Sequence, residues 1–314
     1  MMINKIQQKT FLLPLLFAAG LLCTPPIQAS PDCLAYLQYT QGYWQVWTMD
    51  ENGQHQKQIT QSKYDKSSLS WYPDTHAFLV NSNQGELYKV DINTGKEQKI
   101  NIGHKGMFDA VLSPNGENIA FGLSTSGSRD DHNIWQANLK TKSIRKLTNL
   151  KQMQHLPKWS ATGEWVYFSS KTDDQHNDIL RVQAYSENKA KKIDKKIETI
   201  TTSALYNFDA VESIDGKLLF SSNRSGNYEI WKQDEKAKLS QLTHRPARDA
   251  RPSWSANGRQ IAFESSHGNK MNIWTIKQNE NDTNYTQPKQ ITHADVGARF
   301  PVWSPRVKKQ GVCD

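Results

Sequence analysis

"PSWSANGRQIAFESSHGNKMNIWTIK", residues 252–277, followed by "QITH" at 290–293, is one complete copy of the pattern that organises this chain. It opens on an aromatic residue and Ser, turns through Asn257-Gly258, and runs through the apolar triplet "IAF" to Ser265. A polar loop follows, then an apolar pair containing Trp274, then a closing Ile-Thr. Both apolar runs are rich in β-branched and aromatic residues and far too short for helices, so they read as strands. Asn-Gly stands where a tight hairpin wants a positive φ.

Other segments align on this copy without forcing. They start at Leu69 ("LSWYPDTHAFLVNSNQGELYKVD"), Ala110 ("AVLSPNGENIAFGL"), Pro157 ("PKWSATGEWVYFSS") and Ala210 ("AVESIDGKLLFSSN"). Two half copies flank them: Cys33 onward lacks the opening strand, and "RFPVWSPR" at Arg299 has only that strand. Equivalent positions Trp71, Leu112, Trp159, Glu212, Trp254 and Trp303 are separated by 41, 47, 53, 42 and 49 residues. Periods of this size belong to propeller blades or to two-helix repeats, and the strand-like local pattern selects blades. The reading is an all-β, six-bladed β-propeller of four-stranded antiparallel blades. In one blade "RFPVWS" is the inner strand, and "CLAYLQYT", "YWQVWTMD" and "HQKQIT" are the outer three, so strands from both termini close the ring. Radial closure leaves each blade flanked on both sides. Trp71, Trp159, Trp254 and Trp303 on inner strands, and Trp47, Trp135, Trp231 and Trp274 on third strands, are expected to pack between blades. Trp44 follows neither series and is the candidate for an exposed aromatic.

Residues 1–29 read as a signal peptide: Lys5 and Lys9 precede the apolar run "FLLPLLFAAGLLC", and small residues allow cleavage after Ala29. Thirteen apolar residues fall short of the roughly 20 that span a bilayer. The propeller is expected over 30–314, exported to the periplasm with no transmembrane segment after signal cleavage. The full chain of 314 residues carries a formal charge of +8, and loss of the leader's two lysines leaves a modestly basic protein. Export makes nucleic acid a poor partner for that charge. The densest basic run, 191–196, sits in an insertion over 183–205 that lengthens one blade. After cleavage two cysteines remain, Cys33 and Cys313, near the two ends. An oxidising compartment favours a disulfide between them, which would lock the ring.

The repeated aromatic-Ser-x-x-Gly, "IAF", "IW" and "LT" elements resemble the short repeat of TolB-like propellers, the PD40 family, over roughly residues 33–306. TolB also carries an α/β domain ahead of its propeller, whereas here Ser30, Pro31 and Asp32 alone precede the first strand after cleavage. The resemblance implies a non-enzymatic protein-binding scaffold in a cell-envelope assembly of the Tol-Pal kind. Its implied partner is an envelope protein, with a peptidoglycan-associated lipoprotein as the candidate.

Loops leading into inner strands build a propeller's mouth, and binding groups favour loops on rigid scaffolds. The candidate residues are Phe108, Asp109, His155, Phe208, Asp209, Arg248, Asp249, Arg251, Asp295, Arg299 and Phe300. "FDAV" occurs at 108–111 and again at 208–211, which places two carboxylates at matching points near the axis. Such aspartates either cap amides of their own turns or join the arginines in a polar mouth. No cofactor motif is present, although hard oxygen ligands from several blades meeting in the channel would suit calcium. No catalytic residues are assigned, because "GxSxG", "HExxH" and phosphate-loop patterns are missing. A second class of function stays open: a carbohydrate-active propeller, either a sugar binder or an enzyme resembling the oligogalacturonate lyases. His155, His244 and His293 are the residues that such a metal-assisted lyase would bring together.

Overall fold

The computed structural model describes residues 32–305 except 129–130, 174–175, 187–195, 203–205 and 280–283. The leader, Cys313 and most of the basic insertion therefore lie outside the described residues. Six four-stranded antiparallel sheets form the blades. Blade 1 combines β24 (Ala298–Trp303) with β1 (Cys33–Thr40), β2 (Tyr43–Asp50) and β3 (Lys57–Gln58). Blades 2 and 3 comprise β4 (Lys66–Trp71) to β7 (Glu97–Ile100) and β8 (Phe108–Leu112) to β11 (Ile144–Lys146). Blade 4 runs from β12 (Gln154–Trp159) to β15 (Ile197–Thr199). Blade 5 runs from β16 (Asn207–Glu212) to β19 (Leu239–Gln241), and blade 6 from β20 (Asp249–Trp254) to β23 (Lys289–Gln290). The expected closure is present: β24 pairs antiparallel with β1, matching Trp303 to Leu34.

Alternating side chains reach opposite faces of each blade, and the apolar ones meet in six wedges between neighbouring blades. The second strand of every blade contributes one aromatic under 2% exposed: Tyr36, Phe78, Phe121, Phe168, Phe220 and Phe263. Inner-strand tryptophans add bonds across wedges, since the Trp71 indole donates to the Val302 carbonyl at 2.9 Å and Trp159 donates to Val111 at 3.1 Å. Blade 5 places Glu212 where four of the other five blades have Trp. Its carboxylate accepts from Tyr167 Oη at 2.7 Å and Ala161 N–H at 2.9 Å in blade 4, replacing a packed ring by two hydrogen bonds.

The closing Thr has a chemical reason. Thr60, Thr148, Thr201, Thr243 and Thr292 are all buried. Each hydroxyl accepts from a third-strand amide, of Val46, Ile134, Ile179, Ile230 and Ile273 respectively. Thr60, Thr201, Thr243 and Thr292 donate to side chains at the start of that strand: Gln45, Asp178, Glu229 and Asn272. Thr148 has the matching acceptor Asn133 at 3.4 Å but lies closer, at 2.7 Å, to Gln154, which opens the next inner strand. In the "SPNG" and "SANG" turns only the glycines, Gly116 (φ 76°) and Gly258 (φ 71°), are left-handed. Asn115 instead accepts from the Ser113 hydroxyl at 2.6 Å and from Glu117 N–H at 3.2 Å.

Candidate functional site

Five inner strands break register at one matching point. The bulge residues there are Asp109, Leu156, Asp209, Arg251 and Phe300, all at φ between 52° and 59°. Left-handed backbone is unusual for such side chains. Proline follows Leu156, Arg251 and Phe300, which disfavours the right-handed helical region for the residue before it. A bulge also removes the need for the amide that proline lacks. The amides freed at these bulges are taken by the preceding blade. Asp109 Oδ2 accepts from Leu156 N–H at 3.2 Å, Ser221 Oγ from Arg251 N–H at 3.2 Å, and Glu264 Oε2 from Phe300 N–H at 3.2 Å. Asp109 is thus a cap, acting on the following blade rather than on its own turn.

These bulges narrow the axis to a cavity of about 30 Å³, lined by Asp109, Leu156, Lys158, Asp209, Arg251 and Phe300 among others. The space suits a single water. The two "FDAV" carboxylates do come to one channel, as their repetition suggested. Arg251 pairs with Glu264 across its own blade. Burial pulls the Arg251 guanidinium down, but Glu264, Asp209 and Asp109 outweigh it and hold the group above its ordinary value. Burial lowers His155 and Lys158 below their usual values, with Asp109 and Asp209 opposing and Arg251 reinforcing the shift. The mouth is therefore a compensated ionic ring. Among the described residues no three His, Cys, Asp or Glu side chains gather as metal ligands. Arg251, Lys158 and His155 stand around the two aspartates. His155, His244 and His293 do not converge, and the latter two are exposed.

The remaining predicted residues occupy distinct places. The Arg251 guanidinium lies 4.0 Å from the Phe300 ring centroid, and Arg299 lies 3.8 Å from that of Trp44. Trp44 is accordingly half-buried rather than exposed. Phe108 packs on His132 at 4.8 Å and Phe208 on Tyr228 at 5.1 Å. Arg248 is exposed above Tyr228, and Asp295 is exposed on the loop before β24. Asp249 is 0% exposed and bonded to Arg245 at 3.1 Å, so it serves the blade interior and not the mouth. Lys158 and Glu264 were missed from sequence. A signal existed, because each puts a charge where most other copies have a small or apolar residue.

The TolB β-propeller domain model, PD40, matches residues 18–193 and 87–307. TolB of the Tol-Pal system from Anaeromyxobacter dehalogenans (strain 2CP-1 / ATCC BAA-258) is 26% identical over 129 residues, 40% of this chain and 29% of the relative. The chain thus matches under a third of that relative's length. TolB from Acinetobacter baumannii superposes with a TM-score of 0.73 at 21% identity, covering 88% of this chain and 67% of the other. The putative TolB of Agrobacterium tumefaciens gives 0.65 at 18% identity, covering 84% and 90%. With six such blades in one closed ring, the chain belongs to the TolB β-propeller domain family.

Proposed function

We propose that this protein is a periplasmic, non-enzymatic protein-binding scaffold in a cell-envelope assembly of the Tol-Pal kind, with a peptidoglycan-associated lipoprotein as its candidate partner. One observation carries the reading: the inner strands of all six blades leave a pocket of about 30 Å³ at the axis, and outside its lining Arg299 stacks on Trp44. A pocket of that size has room for a water but not for a sugar ring, whereas a macromolecule can sit on the rim. Arginine and aromatic side chains are the groups that dominate binding energy at such surfaces. Family membership supports the same direction. Among the described residues no helix is long and apolar enough to cross a membrane.

The test is crosslinked affinity capture from envelope extract with the oxidised mature protein. Arg299→Ala and Arg248→Glu are the variants, because Asp249 and Arg251 are held in ion pairs within the fold. One dominant envelope protein should be retained by the parent and lost by Arg299→Ala at an unchanged melting temperature. Retention of the same protein by both variants, or recovery of none after crosslinking, defeats the proposal.

A further inference from the structure

Between blades 5 and 6, away from the axial channel, a cleft of about 750 Å³ opens, within the size range of small-molecule sites. Blade 5 gives it a cationic wall: Lys217 from the β16–β17 turn, Lys232 from β18 (Glu229–Gln233) and Lys238 from the turn before β19. Blade 6 gives it an aromatic wall of Trp254 and Tyr285, with the Gln287 amide beside them. The two walls meet where the Lys232 ammonium stands 5.0 Å from the Tyr285 ring centroid.

The aromatic wall is fixed before any ligand arrives. Tyr285 bridges to Gln278, Thr286 N–H donates to the Lys277 carbonyl at 2.8 Å, and Lys277 N–H donates to Thr286 Oγ1 at 3.0 Å. Among the described residues the cationic wall sets three lysines against two nearby carboxylates, Asp215 and Asp234. Asp215 is engaged by Lys217. Asp234 Oδ1 accepts from the amides of Lys236 and Lys238 at 2.9 and 2.8 Å, so it closes its own turn. No carboxylate lies in ion-pair range of the Lys232 or Lys238 ammonium among the described residues. Burial, followed by the nearness of Lys217, pulls Lys232 below its usual value, with Asp234 and Asp215 opposing the shift.

We propose that this interblade cleft binds an acidic oligosaccharide. A uronic-acid ring presents carbon–hydrogen groups on its face, a carboxylate on its edge and hydroxyls around its rim. Those features match an aromatic wall, an opposed row of ammoniums and an amide that both donates and accepts. Glutamate or aspartate side chains in a peptide carry the charge but no flat face for Tyr285. The proposal does not depend on docking at the axis, and Arg299→Ala should leave it intact.

Titration calorimetry with trigalacturonate tests it, with maltotriose and triglutamate as controls. Trigalacturonate should bind at least about tenfold more tightly than either control. Affinity should fall as sodium chloride rises from about 50 to 300 mM. Lys232→Gln with Lys238→Gln should cost at least about tenfold in affinity, and Tyr285→Leu a similar factor, each variant being checked for native melting. If Tyr285→Leu unfolds, the lysine pair and the maltotriose control still decide. No heat at about 10 mM trigalacturonate, equal binding of triglutamate, or affinity unchanged in the lysine variant each overturns the assignment.

Discussion

Replacing Thr243 by Val removes a hydroxyl and leaves the shape, so its cost isolates the polar clasp between the third strand and the closing residue of blade 5. Thr243 is 1% exposed, accepts from Ile230 N–H at 3.0 Å and donates to the Glu229 carboxylate. Valine strands a buried amide and strips one donor from a carboxylate that keeps Asn227 Nδ2 and Arg245 N–H, both at 3.0 Å. A buried amide without a partner costs about 1–3 kcal/mol and a lost bond to a charged group about 1.5–3; with partial relaxation we expect about 2–4 kcal/mol in all. In blade 6 Thr292 makes the same amide bond to Ile273 at 2.8 Å but donates to the neutral Asn272 at 3.0 Å, so Thr292→Val should cost about 1 kcal/mol less. Burial already raises the Glu229 carboxyl above its ordinary value. A raised acid gives stability that is complete below the unfolded pKa and declines as pH rises through the folded one. Losing the Thr243 donor raises it further, so the Thr243→Val deficit should be larger at pH 7 than at pH 4 while that of Thr292→Val stays flat. Urea unfolding at both pH values measures this, with Thr243→Ser as the control that retains the hydroxyl. Equal, pH-independent costs for the two valine variants, or a serine variant weaker than the valine one, refutes the clasp.

Burial lowers His155, so this group contributes stability above the unfolded value of about 6.5 that is lost as pH falls through the folded one; His155→Gln should flatten the urea midpoint between pH 7.5 and 5. Unaltered pH dependence counts against the desolvated-imidazole account. Gly95 has φ 67°, and a Cβ there would lie 2.3 Å from the Ile59 carbonyl oxygen, whereas Gly216 (φ 79°) meets nothing within 4 Å. Gly95→Ala should therefore lower the melting temperature well beyond the effect of Gly216→Ala, which carries only the left-handed penalty of about 1–2 kcal/mol. Cys33 is 1% exposed at the head of β1; alkylation of the denatured, oxidised protein before mass measurement should leave both Cys33 and Cys313 unlabelled, and labelling of both sinks the ring-locking disulfide.

The ring was legible because each of its requirements repeats. The small-residue turn and the apolar run recur along the chain, with an inner-strand Trp in four blades and the closing Thr in five, so a single chain supplied its own alignment. That same redundancy located the bulge aspartates, since "FDAV" places Asp109 and Asp209 identically. What stayed hidden was partnership across blades. The sequence leaves Asp109 open between capping its own turn and joining a polar mouth, and shows nothing of the amide its carboxylate accepts from, that of Leu156, 47 residues on. Asp249 looked like a mouth residue because it opens an inner strand, but alternation turns it inward onto Arg245. Single departures from the repeat, Lys158 and Glu264 at the axis and Glu212 in place of Trp, were the unused information. A charge in an otherwise small or apolar register requires a counter-charge or donor nearby, and in all three cases one is there.

The left-handed bulges give the proposed partner-binding surface a physical reason to be the rim and not the channel. Each bulge presents an amide that its own ladder cannot use, and side chains of the preceding blade answer those of Leu156, Arg251 and Phe300. Asp109 and Glu264 thereby tie blade 3 to blade 4 and blade 6 to blade 1, and Glu264 holds Arg251 as well. A ligand entering the channel has to compete for groups that already carry these inter-blade bonds, and stranding a buried donor costs about 1–3 kcal/mol each time. Arg299, whose guanidinium is stacked on Trp44, and the exposed Arg248 can meet a partner without that cost. Selection for a partner can therefore act on the rim while the axial ring keeps the fold closed.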